Sequence, residues 1–233
     1  MLTSIKSIKK GFLEVLFPRV CTICGLSLSE SEQFICPDCT KNRFEVANPD
    51  RKRVSSDTLL PEGVELQHAL WNFDKGGYLQ DLLHSLKYHR LTGVGIDLGV
   101  ALGNSLKKNP FFCADEDKLL IPVPLHPKKR RMRGYNQARY IARGVERSAG
   151  IEICLKDDVI RIKNTKTQTG FSLEKRRENI NQAFLVKNPL AIKDKICVVI
   201  DDVFTTGATA FELADTLLKA GARKIMIATI AQA

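Results

Sequence analysis

Apolar and polar positions along the chain fall into short runs whose period changes from one to the next. In residues 66–73 (LQHALWNF) apolar side chains recur at strand spacing and predict a β-strand. Residues 78–88 switch period: Leu79, Leu82, Leu83 and Leu86 lie three and four apart, on one face of a helix. A second helix is predicted over 94–106, where Val94, Leu98, Ala101, Leu102 and Leu106 share a side. Residues 118–123 (KLLIPV) read as a buried strand closed by prolines, followed by a helix over 136–148 and a short strand over 158–162. A strand over 195–200, a helix over 209–220 capped by Gly221, and a buried strand over 224–230 complete the series. Strands alternating with helices imply the α/β class, a parallel sheet flanked by helices.

The first third of the chain does not follow this pattern. Residues 1–17 are basic and amphipathic, with Ile5, Ile8, Phe12, Leu13, Val15 and Leu16 interrupted by Lys9, Lys10 and Glu14. No clean apolar core or small-residue cleavage site follows, so no signal peptide is expected. No apolar run approaches the ~20 residues that cross a bilayer, so no membrane span is expected and the expected location is cytoplasmic. Cys21, Cys24, Cys36 and Cys39 form C-x2-C-x11-C-x2-C, while Cys113, Cys154 and Cys197 stand alone. In a reducing compartment two such knuckles read as a metal site, with four thiolates at the corners of a tetrahedron around Zn²⁺. Gly25 and Pro37 favour the tight turns, and a site closed by four sulfurs is structural. Free or disulfide-bonded cysteines, or iron in place of zinc, are the competing readings. Residues 48–65 are rich in Pro, Ser and charge and read as a linker. The expected division is 1–47 for a basic helix and zinc module, 48–65 for the linker, and 66–233 for the α/β domain.

Composition changes this picture little. The 233 residues are 44% apolar and 27% charged, ordinary values for a soluble globular protein. The net charge of +10 favours anionic partners such as nucleotides, pyrophosphate or nucleic acid, or marks a solvated basic surface.

The chemistry concentrates at 196–209, where an apolar strand runs into Asp201 and Asp202 and then into Thr205, Thr206, Gly207, Ala208 and Thr209 before a helix begins. Backbone N–H groups at a helix N-terminus, with threonine hydroxyls and a glycine allowing close approach, form an anion cradle. Paired carboxylates beside it suit vicinal hydroxyls, and a ribose 5-phosphate meets both demands. An ordinary helix-capping turn is the plainer alternative. Residues 126–134 put Lys128, Lys129, Arg130, Arg131 and Arg133 in a basic loop directly after a core strand. Such a loop can clamp pyrophosphate, contact nucleic acid with Tyr135 stacking, or simply be solvated. Residues 165–179 are polar and suit a surface connection. His68, His84, His89 and His126 show no ligand spacing, Cys197 suits a buried strand, and Trp71 and Phe73 suit a core.

The stretch 198–209 (VVIDDVFTTGAT) resembles the ribose-phosphate signature of type I phosphoribosyltransferases. Together with 121–125 (IPVPL), 131–138 (RMRGYNQA), 168–172 (QTGFS), Arg176, Arg177, Asn179 and the N-terminal cysteines, it resembles the ComF family across nearly the whole chain. That family couples a four-cysteine zinc module to a phosphoribosyltransferase-like domain. The resemblance implies that Asp201 and Asp202 hold the ribose of phosphoribosyl pyrophosphate (PRPP) and that residues 205–209 hold its 5-phosphate. It implies magnesium bound with PRPP, and a mobile loop whose Gln168, Arg176 or Arg177 closes over pyrophosphate. It also implies a hood over the acceptor within 66–117, ahead of a core over 118–233. Lys87 matches a lysine of the family pattern without a readable role. Some relatives that use purine bases carry an acid where this chain has Thr205, a poor base, so that mechanism is not expected. Two readings follow. One is a PRPP-binding ComF-like protein acting in DNA uptake or use of incoming single-stranded DNA, with a competence or helicase-type protein partner. The other is an active phosphoribosyltransferase acting on a nucleobase or amine.

Overall fold

The structure is a computed structural model that describes residues 18–29, 32, 34–47, 53–55, 58–114, 117–164 and 182–233. It divides into two compact units, Met1–Phe44 and Glu45–Ala233. The expected N-terminal helix, and the 165–179 segment with Gln168, Arg176, Arg177 and Asn179, lie outside the described residues.

In the first unit one short helix, α1 (Pro37–Asn42), starts where Cys36 caps it and Pro37 fixes its first turn. Around it Cys21 and Cys39 are almost wholly buried, as is Ile35. Sulfur therefore fills much of the space that an apolar core would occupy.

The second unit opens with β1 (Arg53–Ser55) and β2 (Thr58–Leu59), paired antiparallel inside the stretch read as a linker. A four-stranded parallel sheet follows, built from β3 (Val64–Asn72), β4 (Lys118–Pro122), β7 (Ile196–Phe204) and β8 (Lys224–Gln232) in the order β3-β8-β7-β4. Between β4 and β7 in sequence, β5 (Val159–Arg161) and β6 (Phe184–Val186) form a separate antiparallel pair. Residues 152–154 lie along the free edge of β4: Leu120 N–H donates to Glu152 and Cys154 N–H to Leu120. Residues 66–72, expected as a strand at the start of the 66–117 hood region, lie in β3, an edge strand of the central sheet.

Seven of the nine residues of β8 are buried, because it lies in the middle of a sheet covered on both faces. On one face α7 (Ala208–Lys219) sets Ala210, Leu213, Ala214 and Leu217 against Leu119, Ile121, Cys197, Val199, Ile225 and Ile227. The other face carries α2 (Tyr78–Tyr88), α3 (Thr92–Leu106) and α6 (Gln137–Ala149), with α4 (Pro110–Cys113) and α5 (Pro127–Arg133) as short connectors. α3 and α6 approach closely because glycines meet at their crossing. A Cβ on Gly99 would stand 2.0 Å from the Ile141 carbonyl oxygen, and one on Gly144 2.2 Å from that of Ile96.

Two expectations change. The basic stretch is not a loop but the helix α5, with Pro127 in its first turn, His126 Nδ1 accepting from Lys128 N–H at 3.2 Å, and left-handed Gly134 ending it. Crowded cations obscured cap signals that the sequence does carry. The strand expected to stop at residue 200 runs to Phe204, so both aspartates lie within it.

Candidate functional site: the carboxyl edge of β7

The site exists because β7 outruns its neighbour. The pairing of β4 with β7 ends at Pro122 opposite Ile200, and Val123 N–H adds one last bond to the Ile200 carbonyl at 2.9 Å. Beyond that point, residues 201–204 keep β8 on one side only. This is the crevice at the carboxyl ends of parallel strands where open α/β sheets bind ligands.

Successive side chains of a strand point to opposite faces. Asp201 therefore falls on the α7 side with Cys197 and Val199, and Asp202 on the side of α2 and α6. There Asp202 Oδ2 meets Lys87 Nζ, near the end of α2, at 2.5 Å. The Asp202 side chain is 8% exposed and that of Lys87 27%, so the pair is largely shielded from water. Burial pulls the Lys87 ammonium down, but the charges of Asp202 and Asp201 outweigh it and hold Lys87 above the ordinary lysine value. Burial and the neighbouring Asp202 push the Asp201 carboxyl up to about 7. Each aspartate also binds the chain locally: Asp202 N–H donates to Asp201 Oδ1 and Val203 N–H to Asp202 Oδ1, both at 2.9 Å.

The 205–209 loop carries the features of an anion cradle. Gly207 caps α7 at φ +73°, in the left-handed region. A Cβ there would lie 2.4 Å from the ring of Phe211, so both conformation and space demand glycine. α7 runs for 12 residues and its first N–H groups open onto the loop. Thr206 Oγ1 is buried without a hydrogen-bond partner among the described residues, as expected of a hydroxyl whose partner is a ligand. Asp201, Thr205, Gly207, Ala208, Thr209 and Thr229 line one small cavity together.

The five cations of α5 divide by helix geometry. Lys129 and Arg133, one turn apart, are half-buried, while Lys128, Arg130 and Arg131 are exposed. Burial, then the charges of Arg161 and Arg133, hold the Lys129 ammonium below its usual value. Arg161, on β5, is 8% exposed, and burial lowers its pKa against the opposing pull of Asp201. The fold thus brings Lys87 and Arg161 to the two carboxylates, with Arg133 near Lys87 and Lys129 near Arg161 and Arg133. Arg161 carried no signal in the sequence. Lys87 carried one only through the family pattern, since it lies far from the aspartates along the chain.

In the first unit, the sulfurs of Cys21, Cys24, Cys36 and Cys39 all lie within 4.8 Å of one another. Cys24 and Cys36 Sγ are 3.7 Å apart. Four thiolates at 2.3 Å from a tetrahedral Zn²⁺ would stand about 3.8 Å apart, so the cluster fits the ion. Cys36 N–H donates to Cys21 Sγ and Cys39 N–H to Cys36 Sγ, each at 3.4 Å. Burial opposes ionisation of Cys21, but the backbone N–H groups of Cys36, Cys24 and Ile23 outweigh it and bring its thiol down to about 6. Burial and the surrounding sulfurs push Cys39 the other way, because without a cation the four thiols cannot all ionise. Among the described residues no helix is long and apolar enough to cross a membrane.

Residues 132–233 match the phosphoribosyl transferase domain family, a stretch that holds Asp201, Asp202 and the 205–209 loop. The chain is 36% identical over 115 residues to competence protein F of Haemophilus influenzae, covering 49% of this chain and half the length of that protein. It is 28% identical over 232 residues to the DNA utilization protein YhgH of Salmonella typhimurium, covering 90% of this chain and 95% of the relative. The competence protein ComFC of Streptococcus pneumoniae is 23% identical over 209 residues, covering 88% and 84%. With its parallel sheet, its 201–209 stretch and its four-cysteine cluster, the chain is similar along most of its length to ComF-like proteins with a phosphoribosyltransferase fold.

Proposed function

We propose that this protein binds PRPP with magnesium at the carboxyl edge of β7 and acts in DNA uptake or in the use of incoming single-stranded DNA. Asp201 and Asp202 hold the ribose hydroxyls, and residues 205–209 hold the 5-phosphate. Lys87, Lys129, Arg133 and Arg161 supply positive charge for the pyrophosphate. Magnesium would be held mainly by PRPP oxygens and water. The four-cysteine cluster holds zinc as a structural ion. The observation that carries this reading is the loop at the start of α7, where Gly207 admits no side chain and Thr206 Oγ1 is buried without a partner. The DNA role draws its support from the competence and DNA-utilization relatives.

Calorimetric titration of PRPP with Mg²⁺ tests the site. The Asp201→Asn, Asp202→Asn double variant should lose at least tenfold in affinity, and unchanged affinity would remove the ribose assignment. Loss of transformation or of growth on DNA in a strain carrying that variant tests the cellular role. Transfer to an acceptor is a second reading, favoured by a carboxyl near neutrality at Asp201, and pyrophosphate released across a panel of nucleobases and amines is its readout.

A further inference from the structure

Beside the site proposed for PRPP lies a second concavity that shares only Arg161 with it. It is a cleft of about 470 Å³ between the carboxyl end of β4, the starts of α5 and α6, and β5. That volume matches a small-molecule site, and it far exceeds the cavity at the 205–209 loop.

Its charge is one-sided. Arg130, Arg139, Arg143, Lys156, Arg161 and Lys187 line it, and Asp157 is the single carboxylate among the described lining residues. These cations come from α5, α6, the turn before β5, β5 itself and the end of β6, so the fold converges them rather than a charged run in the sequence. Like charges drawn into one concavity repel, and a bound anion relieves that repulsion. The cleft is not merely a wet surface: Arg139 Nη1 donates to the Cys154 carbonyl at 3.1 Å and is thereby fixed along its wall. Arg143 lies over the Tyr140 ring at 5.0 Å, and Tyr135 meets Tyr140 edge to face at 5.5 Å. A flat guanidinium-on-tyrosine surface within a cationic cleft suits a phosphate with an attached base.

We propose that this cleft binds a phosphate-bearing nucleotide unit, with the phosphate between the arginines of α6 and Lys156 and Lys187, and the base against Tyr140 and Arg143. The unit is free as a mononucleotide or one link of a single strand. This rests on the reading above only in taking nucleic acid as a source of that phosphate. Arg161 lines the cleft and feels Asp201, so the ligand would end beside the ribose acids.

The test reverses three exposed cleft cations, Arg143→Glu, Lys156→Glu and Lys187→Glu, in the full-length protein. A charge-matched control reverses Lys75, Lys107 and Lys108, which are exposed and do not line the cleft. Fluorescence anisotropy with labelled dT12 should show the cleft variant weakened about tenfold or more, with a log–log salt slope shallower by about 2. The control should lose under threefold. Equal loss in both variants, unchanged binding in the cleft variant, or no binding of dT12 or dTMP by the wild type would each overturn the proposal. Titration with dTMP separates the sources: cleft-dependent binding of dTMP marks a mononucleotide pocket, and cleft-dependent binding of dT12 alone marks a strand site. PRPP titration of the same variants keeps the two readings apart, since the Asp201→Asn, Asp202→Asn variant should lose PRPP and still bind in the cleft.

Discussion

Asp201 and Asp202 are adjacent in the chain yet chemically unlike, because a strand sends them to opposite faces. Asp202 is buried and faces a lysine, and Asp201 lies half-buried beside another carboxyl. For Asp201 the folded pKa, about 7, lies above the ordinary value of 3.8. Between those pH values the folded state binds more protons than the unfolded, so stability falls as pH rises from about 4 to about 7. Asp201→Asn should flatten that fall, by up to about 4 kcal/mol at pH 7 on conversion of the shift. Urea melts of both proteins at pH 4.5 and 7.5 check the sign, and parallel profiles would refute it. Removing Lys87 strands a shielded carboxylate, so Lys87→Met should cost about 3 kcal/mol, and Asp202→Asn on that background should recover part of it. Gly207→Ala should lower stability by about 1 kcal/mol or more and abolish PRPP binding, read by thermal melts with and without ligand. Asp201, Asp202 and Gly207 could be read in the sequence because strand, loop and helix are contiguous there. Arg161 and the partnership of Lys87 could not, since only folding brings them to the aspartates.

At the scale of elements, the helix and strand periods carried well because each buried face repeats the same demand. Tyr78–Tyr88 forms over the residues whose leucine spacing predicted it. The 126–134 stretch did not carry, since a seven-residue helix has too few turns to show a period and its evidence lies in its ends. The close crossing of α3 and α6 also needed the structure: glycines weaken helices locally, and only the neighbouring backbone shows why they are present. Gly144→Val should cost about 3 kcal/mol by forcing the helices apart, measured by denaturant melts, whereas Gly150→Ala, whose surroundings are open, should cost only its backbone strain. In the first unit the cysteine cluster replaces a core, so a strong chelator should unfold residues 18–44 and open them to protease. Protection that persists in metal-free protein would sink the structural role.

Over the whole molecule, a surplus of +10 becomes informative only when its placement is known. Cations gather at two neighbouring places, around Asp201 and Asp202 and in the cleft past β4, while others are dispersed on exposed surface. PRPP at a hundredfold excess over its Kd should stabilise the protein by about 2.7 kcal/mol, read as a rise in Tm that vanishes in the Asp201→Asn, Asp202→Asn variant. The α/β class, the four-cysteine cluster, the adjacent carboxylates Asp201 and Asp202 and the small-residue loop after them were all legible in the chain itself. Each of these is set by residues close in the chain or by a repeating period, and local sterics and burial act at that range. The tertiary structure alone decided that β7 outruns β4, that Lys87 and Arg161 face the aspartates, and that scattered cations share one cleft. Those depend on the lengths of neighbouring strands and on which distant segments pack together, which no short stretch of sequence encodes.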